Sequence, residues 1–336
     1  MRKTFIKTLI ECAKKDDSIF VLVGDLGYNV FEEFESLFPD RYINVGVSEQ
    51  NMTGIAAGLS NEGYKVLTYS IGNFNTLRCL EQIRNDICYH NLNVKIVSVG
   101  AGFSYGSQGY THFAIEDIAV MRVLPNMRVY SPASVNEMEF TTREIFKEKS
   151  PCYVRIGSSA LELDYNIKKG KINIVRDGED ILILSAGNIL SNTIEACKIL
   201  EDKGISVCLA SVYSLEPFDT NFILEKIKNI KKIITIEEHG IGGLFSIVSE
   251  IVYNYNIILK GLYIKKDAYQ YADSQDYMRK RYSLDVDGIA ANIKNICSDN
   301  LYYVNLQMCY LYKIMRIYGY ISLFNIYILI YLYKIY

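Results

Sequence analysis

Apolar residues recur along this chain in two rhythms, short unbroken runs and longer stretches with helical spacing. The runs "IFVLVGDLG", "RYINVGV", "KVLTYSI", "NVKIVSVGA", "MRVYSP" and "PCYVRIG" predict strands. Between them, "RKTFIKTLIECAKKD", residues 48 to 61, "TLRCLEQIRNDICYHN", "IEDIAVMRVLP" and "SVNEMEFTTREIFKEK" predict helices, because their apolar residues return every three or four positions. Strands rich in Val and Ile, without a polar side, belong to a parallel sheet covered on both faces, so the pattern predicts an α/β fold.

The polar stretch "SSALELDYNIKKGKINIVRDGED" interrupts the alternation between residues 158 and 180. A second set follows, with strands "ILILSAG", "SVCLASV" and "KKIITIEEH" and helices "ILSNTIEACKILEDKG", "FDTNFILEKIKNI", "GGLFSIVSEIVYNY" and one near "SLDVDGIAANIKNI". We therefore expect one α/β domain over residues 1–158, a linker over 159–180 and a smaller α/β domain over 181–298. No internal repeat is evident.

After Asp299 the pattern disappears: "NLYYVNLQMCYLYKIMRIYGYISLFNIYILIYLYKIY" holds ten of the 28 tyrosines and no acidic residue, and the tail is taken as residues 299–336. Its uncharged run from Ile317 to Tyr333 falls just short of the ~20 residues that span a bilayer. A tail anchor, an interfacial aromatic segment and translated AT-rich sequence all remain open for a tail that lies outside the soluble core, and tail-mediated membrane association is one expectation.

A chain of 336 residues, 50% hydrophobic, can build two substantial cores. The net charge of -2 gives no electrostatic reason to expect nucleic acid as a partner. Its eight cysteines are scattered through apolar segments without a CxxC pair, a pattern of reduced buried thiols in a cytoplasmic protein. The histidines, three in number, sit in unlike elements, so no metal site is expected in this chain.

One segment raises a chemical question. In "INVGVSEQNMTGIAAGLSNEG" the carboxylate of Glu49 stands at the start of an apolar, glycine-rich helix, behind Ser48 as a candidate N-cap. The macrodipole favours an acid in that first turn, and a plain surface acid is the simplest account. The small residues after it let a backbone or a flat ligand approach closely.

The same run, followed by "YSIGNFNTLRCLEQIRNDICYHNLNV" and "VGAGFSYGSQGYTHFAIEDIAVMRVLPNMRVYSPAS", resembles the thiamine diphosphate enzymes of the transketolase family in order and spacing. The likeness extends from the N-terminus to about Cys297 and resembles the C-terminal subunit of a split, two-gene transketolase. It implies two three-layer parallel-sheet domains, a pyrimidine-binding domain and then a transketolase C-terminal domain. In that family the glutamate matching Glu49 hydrogen-bonds N1′ of the aminopyrimidine and favours the imino tautomer that activates the thiazolium. Phe74 matches the aromatic that stacks on the pyrimidine, and Arg78 would orient the cofactor site with Glu81 nearby, an exposed helical ion pair being the plain alternative. His112 in "GYTHFAIED" matches the histidine that hydrogen-bonds the donor substrate. His90 and His239 are read as structural.

The departures matter too. The GDG motif with its later Asn pair, which binds the diphosphate and Mg²⁺, has only a near match in "VGDLGYN". The resemblance therefore implies a partner, an N-terminal transketolase subunit carrying the diphosphate-binding domain and most of the Mg²⁺ ligands, in an α2β2 or homodimer-based assembly. Ser158, Gly100 and Gln108 stand where single-chain transketolases carry a substrate arginine, histidine and aspartate, which puts ordinary sugar-phosphate specificity in question. The expected activity is transfer of a two-carbon ketol unit from a ketose to an aldose, sugars or sugar phosphates. A 2-oxo acid dehydrogenase β subunit, a 1-deoxyxylulose-5-phosphate synthase-like enzyme and a non-catalytic scaffold are the alternatives.

Overall fold

The computed structural model describes residues 1–27 and 29–298, so the apolar tail and every expectation attached to it lie outside the described residues. Met1–Lys294 form one compact unit containing two sheets. In chain order the first part runs α1 (Arg2–Ala13), β1 (Ile19–Val23), α2 (Glu32–Leu37), β2 (Tyr42–Asn44), α3 (Glu49–Asn61) and β3 (Lys65–Ile71). It continues through α4 (Leu80–Gln82), β4 (Val94–Val99), α5 (Asp117–Arg122), β5 (Arg128–Tyr130), α6 (Val135–Ile145) and β6 (Cys152–Ile156). The second part comprises β7 (Asn173–Arg176), β8 (Ile181–Ala186), α7 (Leu190–Glu201), β9 (Val207–Ser211), β10 (Ser214–Glu216), α8 (Thr220–Lys226), β11 (Lys232–Glu237), α9 (Leu244–Val252), β12 (Ile258–Leu262), α10 (Gln275–Arg281) and α11 (Val286–Ser298).

The first sheet has seven strands in the order β10-β5-β6-β4-β3-β1-β2, and the second has five in the order β12-β11-β8-β9-β7. All pairings are parallel except the edge strands β10 and β7, which run antiparallel to β5 and β9. The expectation of parallel sheets thus holds for the interior of each, and an antiparallel strand closes one edge. Along β1 every residue is buried: Ile19, Val21 and Val23 join Phe5 and Leu9 of α1, while Phe20 and Leu22 join Met52 and Ala56 of α3. Three layers follow from that two-sided burial.

Three strands lack a clear signal in the sequence. β7 and β10 are short edge strands, and β12 is only partly buried, so none shows a continuous apolar run. β10 is also displaced: it follows β9 of the second sheet yet pairs with β5 of the first, Ser214 opposite Tyr130. The stretch 159–180 is laced to both parts rather than hanging between them. The buried Glu137 of α6 accepts hydrogen bonds from Tyr165 Oη, Asn173 Nδ2 and Ser211 Oγ. The helix expected near residues 76–91 divides into a 3-10 turn (Leu77–Cys79), α4 and a π turn (Ile83–Cys88). The wider π turn lets Ile87 and Cys88 both follow Ile83 onto the buried face.

A polar network fills the space between the sheets. Arg155 of β6, 2% exposed, donates from Nε to Asp117 Oδ2 at 2.7 Å and from Nη2 to the carbonyls of Ala114 and Glu238. Tyr153 Oη donates to the same Asp117 oxygen at 2.6 Å. His239, fully buried, accepts the Ile118 amide at Nε2 (3.1 Å), so Nδ1 carries the proton and faces the Gly240 carbonyl at 2.8 Å. Both ring nitrogens of His239 are thus spent on backbone groups. Cys79, Cys88, Cys152, Cys197 and Cys208 are buried thiols.

Burial lowers the His239 pKa to about 4, with Asp117 opposing the shift. A lowered pKa means that the unfolded chain binds the proton first, so the difference stabilises the fold above the ordinary histidine value and is lost as pH falls from about 6.5 toward 4. His239→Gln keeps an acceptor for Ile118 but removes the titration. Denaturant unfolding at a series of pH values should show the parent losing stability relative to this variant across that window, with a slope approaching ~1.4 kcal/mol per pH unit. Parallel pH profiles would contradict this account.

Candidate active site

The turn from β2 into α3 carries Glu49 to the interior. Gly46 takes φ +74° in that turn, and Val45 N–H bonds the Val23 carbonyl, extending the β1–β2 pairing by one residue. Ser48 sits at the N-cap position but does not cap: its hydroxyl donates to the Val45 carbonyl at 2.7 Å. Glu49 shares a helix face with Met52 and Ala56, which the hydrophobic core pulls against the sheet, and its carboxylate is drawn in with them. It is 1% exposed, so the surface-acid account fails.

Two side chains meet that carboxylate. Ser70 Oγ at the end of β3 donates to Oε1 at 3.0 Å, and Arg78 Nη1 donates to Oε2 at 2.6 Å. Gly24, at the end of β1, provides the room: a Cβ there would lie 3.3 Å from Glu49 Cγ. The glycine of "VGDLGYN" thus makes space for the acid. Arg78 reaches from its carboxylate to solvent, 40% exposed, and its Cζ lies 4.2 Å from the centre of the Phe74 ring. The exposed helical pair with Glu81 is not what the structure contains, because Arg78 is spent on Glu49.

Phe74 and His112 stand on neighbouring loops, their ring centres 5.1 Å apart and edge to face. Two contacts hold those loops together. Asn73 Nδ2 donates to the Thr111 carbonyl at 2.7 Å, and Gly72 packs so closely on Ala114 that a Cβ would sit 2.5 Å from the alanine methyl. His112 Nδ1 shares a hydrogen bond with Thr111 Oγ1 at 3.0 Å. Glu49, Arg78, Phe74 and His112 therefore form one continuous line from a buried carboxylate to a half-exposed imidazole. His90 lies elsewhere, exposed and edge-on to Tyr89.

Beside the line opens a cavity of about 910 Å³, lined by Gly100, Ser104, Tyr105 and Ser158, with Arg2, Lys3 and Lys7 of α1 and Glu33 of α2 on its wall, a net positive set. Tyr105 joins the two regions, its ring centre 6.5 Å from that of His112. Of the three positions expected to differ in substrate binding, Gly100 and Ser158 line this cavity, whereas Gln108 is exposed and lies off its lining. The three cations are functional candidates that sequence reasoning missed. They read as the polar face of an amphipathic helix, and only the fold turns that face toward Gly100.

Residues 1–162 match the family described as transketolase, pyrimidine binding domain, and residues 170–278 match transketolase, C-terminal domain. A putative transketolase C-terminal section from Methanocaldococcus jannaschii is 37% identical over 302 residues, covering 87% of this chain and 95% of the relative. The chain belongs to the transketolase family. An apulose-4-phosphate transketolase subunit from Actinobacillus succinogenes is 36% identical, with 75% of this chain and 83% of that one aligned. A solved structure of a split gene transketolase, described as an inactive beta4 tetramer, superposes with a TM-score of 0.79 at 32% identity over 88% of this chain and 97% of that one.

Membership in the transketolase family implies use of thiamine diphosphate, and the residues fit its aminopyrimidine. A buried carboxylate can bond a protonated ring nitrogen, and a Cβ on Gly46 would meet nothing within 4 Å, while the Arg78 guanidinium lies over one face of Phe74. Among the described residues no cluster of His, Cys, Asp or Glu could hold a metal ion.

Two variants test the cofactor side. Glu49→Gln should lower ketol transfer by about 10²- to 10⁴-fold, the range for loss of a positioned proton-transfer group. Phe74→Ala should weaken thiamine diphosphate binding by about tenfold, the worth of one aromatic stack, read by calorimetry on the assembled enzyme. Unchanged turnover in the first variant and unchanged affinity in the second would remove both residues from the site.

Proposed function

We propose that this chain is the catalytic-glutamate subunit of a split transketolase, and that with a partner supplying the diphosphate and Mg²⁺ site it transfers a two-carbon ketol unit between sugar phosphates. The observation that carries this reading is the line Glu49, Arg78, Phe74, His112 opening beside a basic cavity.

Each residue has a part that its surroundings support. Glu49 holds a proton at the pyrimidine nitrogen from a water-poor pocket, where such a hydrogen bond is stronger than in water. Arg78 bridges acid and aromatic, and Phe74 offers the cofactor ring the face that the guanidinium does not cover. Thiamine diphosphate, when bound, supplies the nucleophilic carbon for breaking and making the carbon–carbon bond. His112, at the half-exposed end of the line, donates or accepts a proton at the donor's hydroxyl or carbonyl oxygen.

The cavity accounts for the missing ligands. Ser158 and Gly100 carry no charge, but Arg2, Lys3 and Lys7 place three cations on the wall of the same cavity. A phosphate at the far end of the sugar would find its charge there, consistent with a relative named for apulose 4-phosphate.

The test is to co-express this chain with a diphosphate-domain subunit and assay the purified pair with xylulose 5-phosphate or apulose 4-phosphate as donor and an aldose phosphate as acceptor. Ketol transfer by the pair, absent from this chain alone, supports the reading, whereas consumption of pyruvate would favour the deoxyxylulose-phosphate synthase or dehydrogenase alternatives. Replacing Arg2, Lys3 and Lys7 by Ala should raise KM for the phosphorylated donor at least tenfold, as loss of charge-assisted hydrogen bonds requires. Equal effects on a non-phosphorylated ketose would place the anion elsewhere.

A further inference from the structure

The loop bearing His112 is held from the second sheet. Its neck is a pair of residues: Gly102 N–H bonds the Ala114 carbonyl at 3.0 Å, and Ala114 N–H bonds the Gly102 carbonyl at 3.2 Å. Everything between, from Phe103 to Phe113, leaves and returns through that neck. One side of the neck is fixed by Arg155, which donates to the Ala114 carbonyl.

The other side is fixed by Glu238, the residue after β11. Its Oε1 accepts the Phe103 amide at 2.7 Å and Gln275 Nε2 at 2.8 Å. Its Oε2 accepts Arg279 Nε at 2.9 Å and Nη2 at 2.6 Å, and the side chain is fully buried. The approach is tight enough to dictate neighbours. Gly102 has φ +61°, and a Cβ on it would lie 2.5 Å from Glu238 Cγ.

The segment leading into α10 closes on the same loop. A Cβ on Gly106 would run into the Asp273 carbonyl, and Phe103 is sandwiched between Phe113, 5.0 Å away edge to face, and Tyr282, 5.7 Å away and stacked. Gln275, which donates to Glu238, also comes within 3.5 Å of Ser158 Oγ on the basic cavity. One carboxylate thus joins the loop neck, α10 and the cavity edge.

We propose that Glu238 is a positioning residue for ketol transfer: by accepting the Phe103 amide it locks the loop that sets His112 against Phe74, while Arg279 balances its buried charge. The proposal rests on the reading of His112 given above. It gives the second sheet a role in the reaction that the line of residues around Glu49 does not reveal. Glu238 touches neither that line nor the cofactor side, so its loss should leave thiamine diphosphate affinity intact and act on turnover.

Removing the carboxylate alone would strand Arg279 in the interior and confound the result with unfolding. The test therefore compares two charge-balanced double variants in the co-purified pair of subunits. Glu238→Gln with Arg279→Met keeps an acceptor for the Phe103 amide, and Glu238→Ala with Arg279→Met removes it. The first should retain turnover within a few-fold of the parent, and the second should lose about 10²-fold in kcat, the effect of an ångström-scale misplacement. Thiamine diphosphate affinity should stay equal in both, and hydrogen exchange across residues 103–113 should accelerate only in the alanine variant. Equal kcat and equal exchange in the two variants would overturn the proposal, as would cofactor affinity falling in step with kcat. Should the parent pair transfer no ketol unit, the proposed function falls, while the exchange comparison still decides whether Glu238 anchors the loop.

Discussion

A guanidinium without water must be satisfied completely by the protein, and Arg155 imposes that demand at the centre of the molecule. Its partners are Asp117, the Ala114 carbonyl and the Glu238 carbonyl, which belong to α5, to the His112 loop and to the end of β11. Leaving any of them unmade would cost more than the bond is worth in water, so the three elements are fixed relative to one another. The seating of the loop, the approach of Gly102 to Glu238 and the packing of His239 against Ile118 all depend on it.

The glutamate pocket is built by a different constraint. Hydrophobic burial of Met52 and Ala56 determines how α3 lies on the sheet, and Glu49 is carried inward because it shares their face. The protein accommodates the buried acid with Ser70, Arg78 and the absence of a side chain at residue 24. An ion pair with one partner reaching solvent leaves the acid accessible to an incoming ring, as a site that awaits a cofactor requires.

Much of this is legible in the residues alone, for identifiable reasons. Both alternations of strand and helix are clear because parallel strands buried on two faces leave unbroken Val and Ile runs. Glu49, Phe74, Arg78 and His112 stand out because their segments follow one family's order, and the fold brings all four together. The strands β7, β10 and β12 are not legible, since β10 is only three residues long and β7 and β12 are partly exposed, so none carries a periodic signal. The π turn at Ile83–Cys88 is hidden for a related reason, because apolar spacing of four and five residues still resembles a helix.

Fold class, family resemblance and the kinds of side chain available for chemistry follow from local periodicity and motif order, and the residues alone carry them. Which of those groups meet was settled by the packing of the folded chain. It gave Gly24 to Glu49 as space and turned Arg2, Lys3 and Lys7 toward the cavity of Gly100 and Ser158. It also placed Glu238 against Phe103 across 135 residues of chain. Such encounters depend on how layers pack and which buried polar groups must be paired, and neither quantity is written in any local stretch of residues.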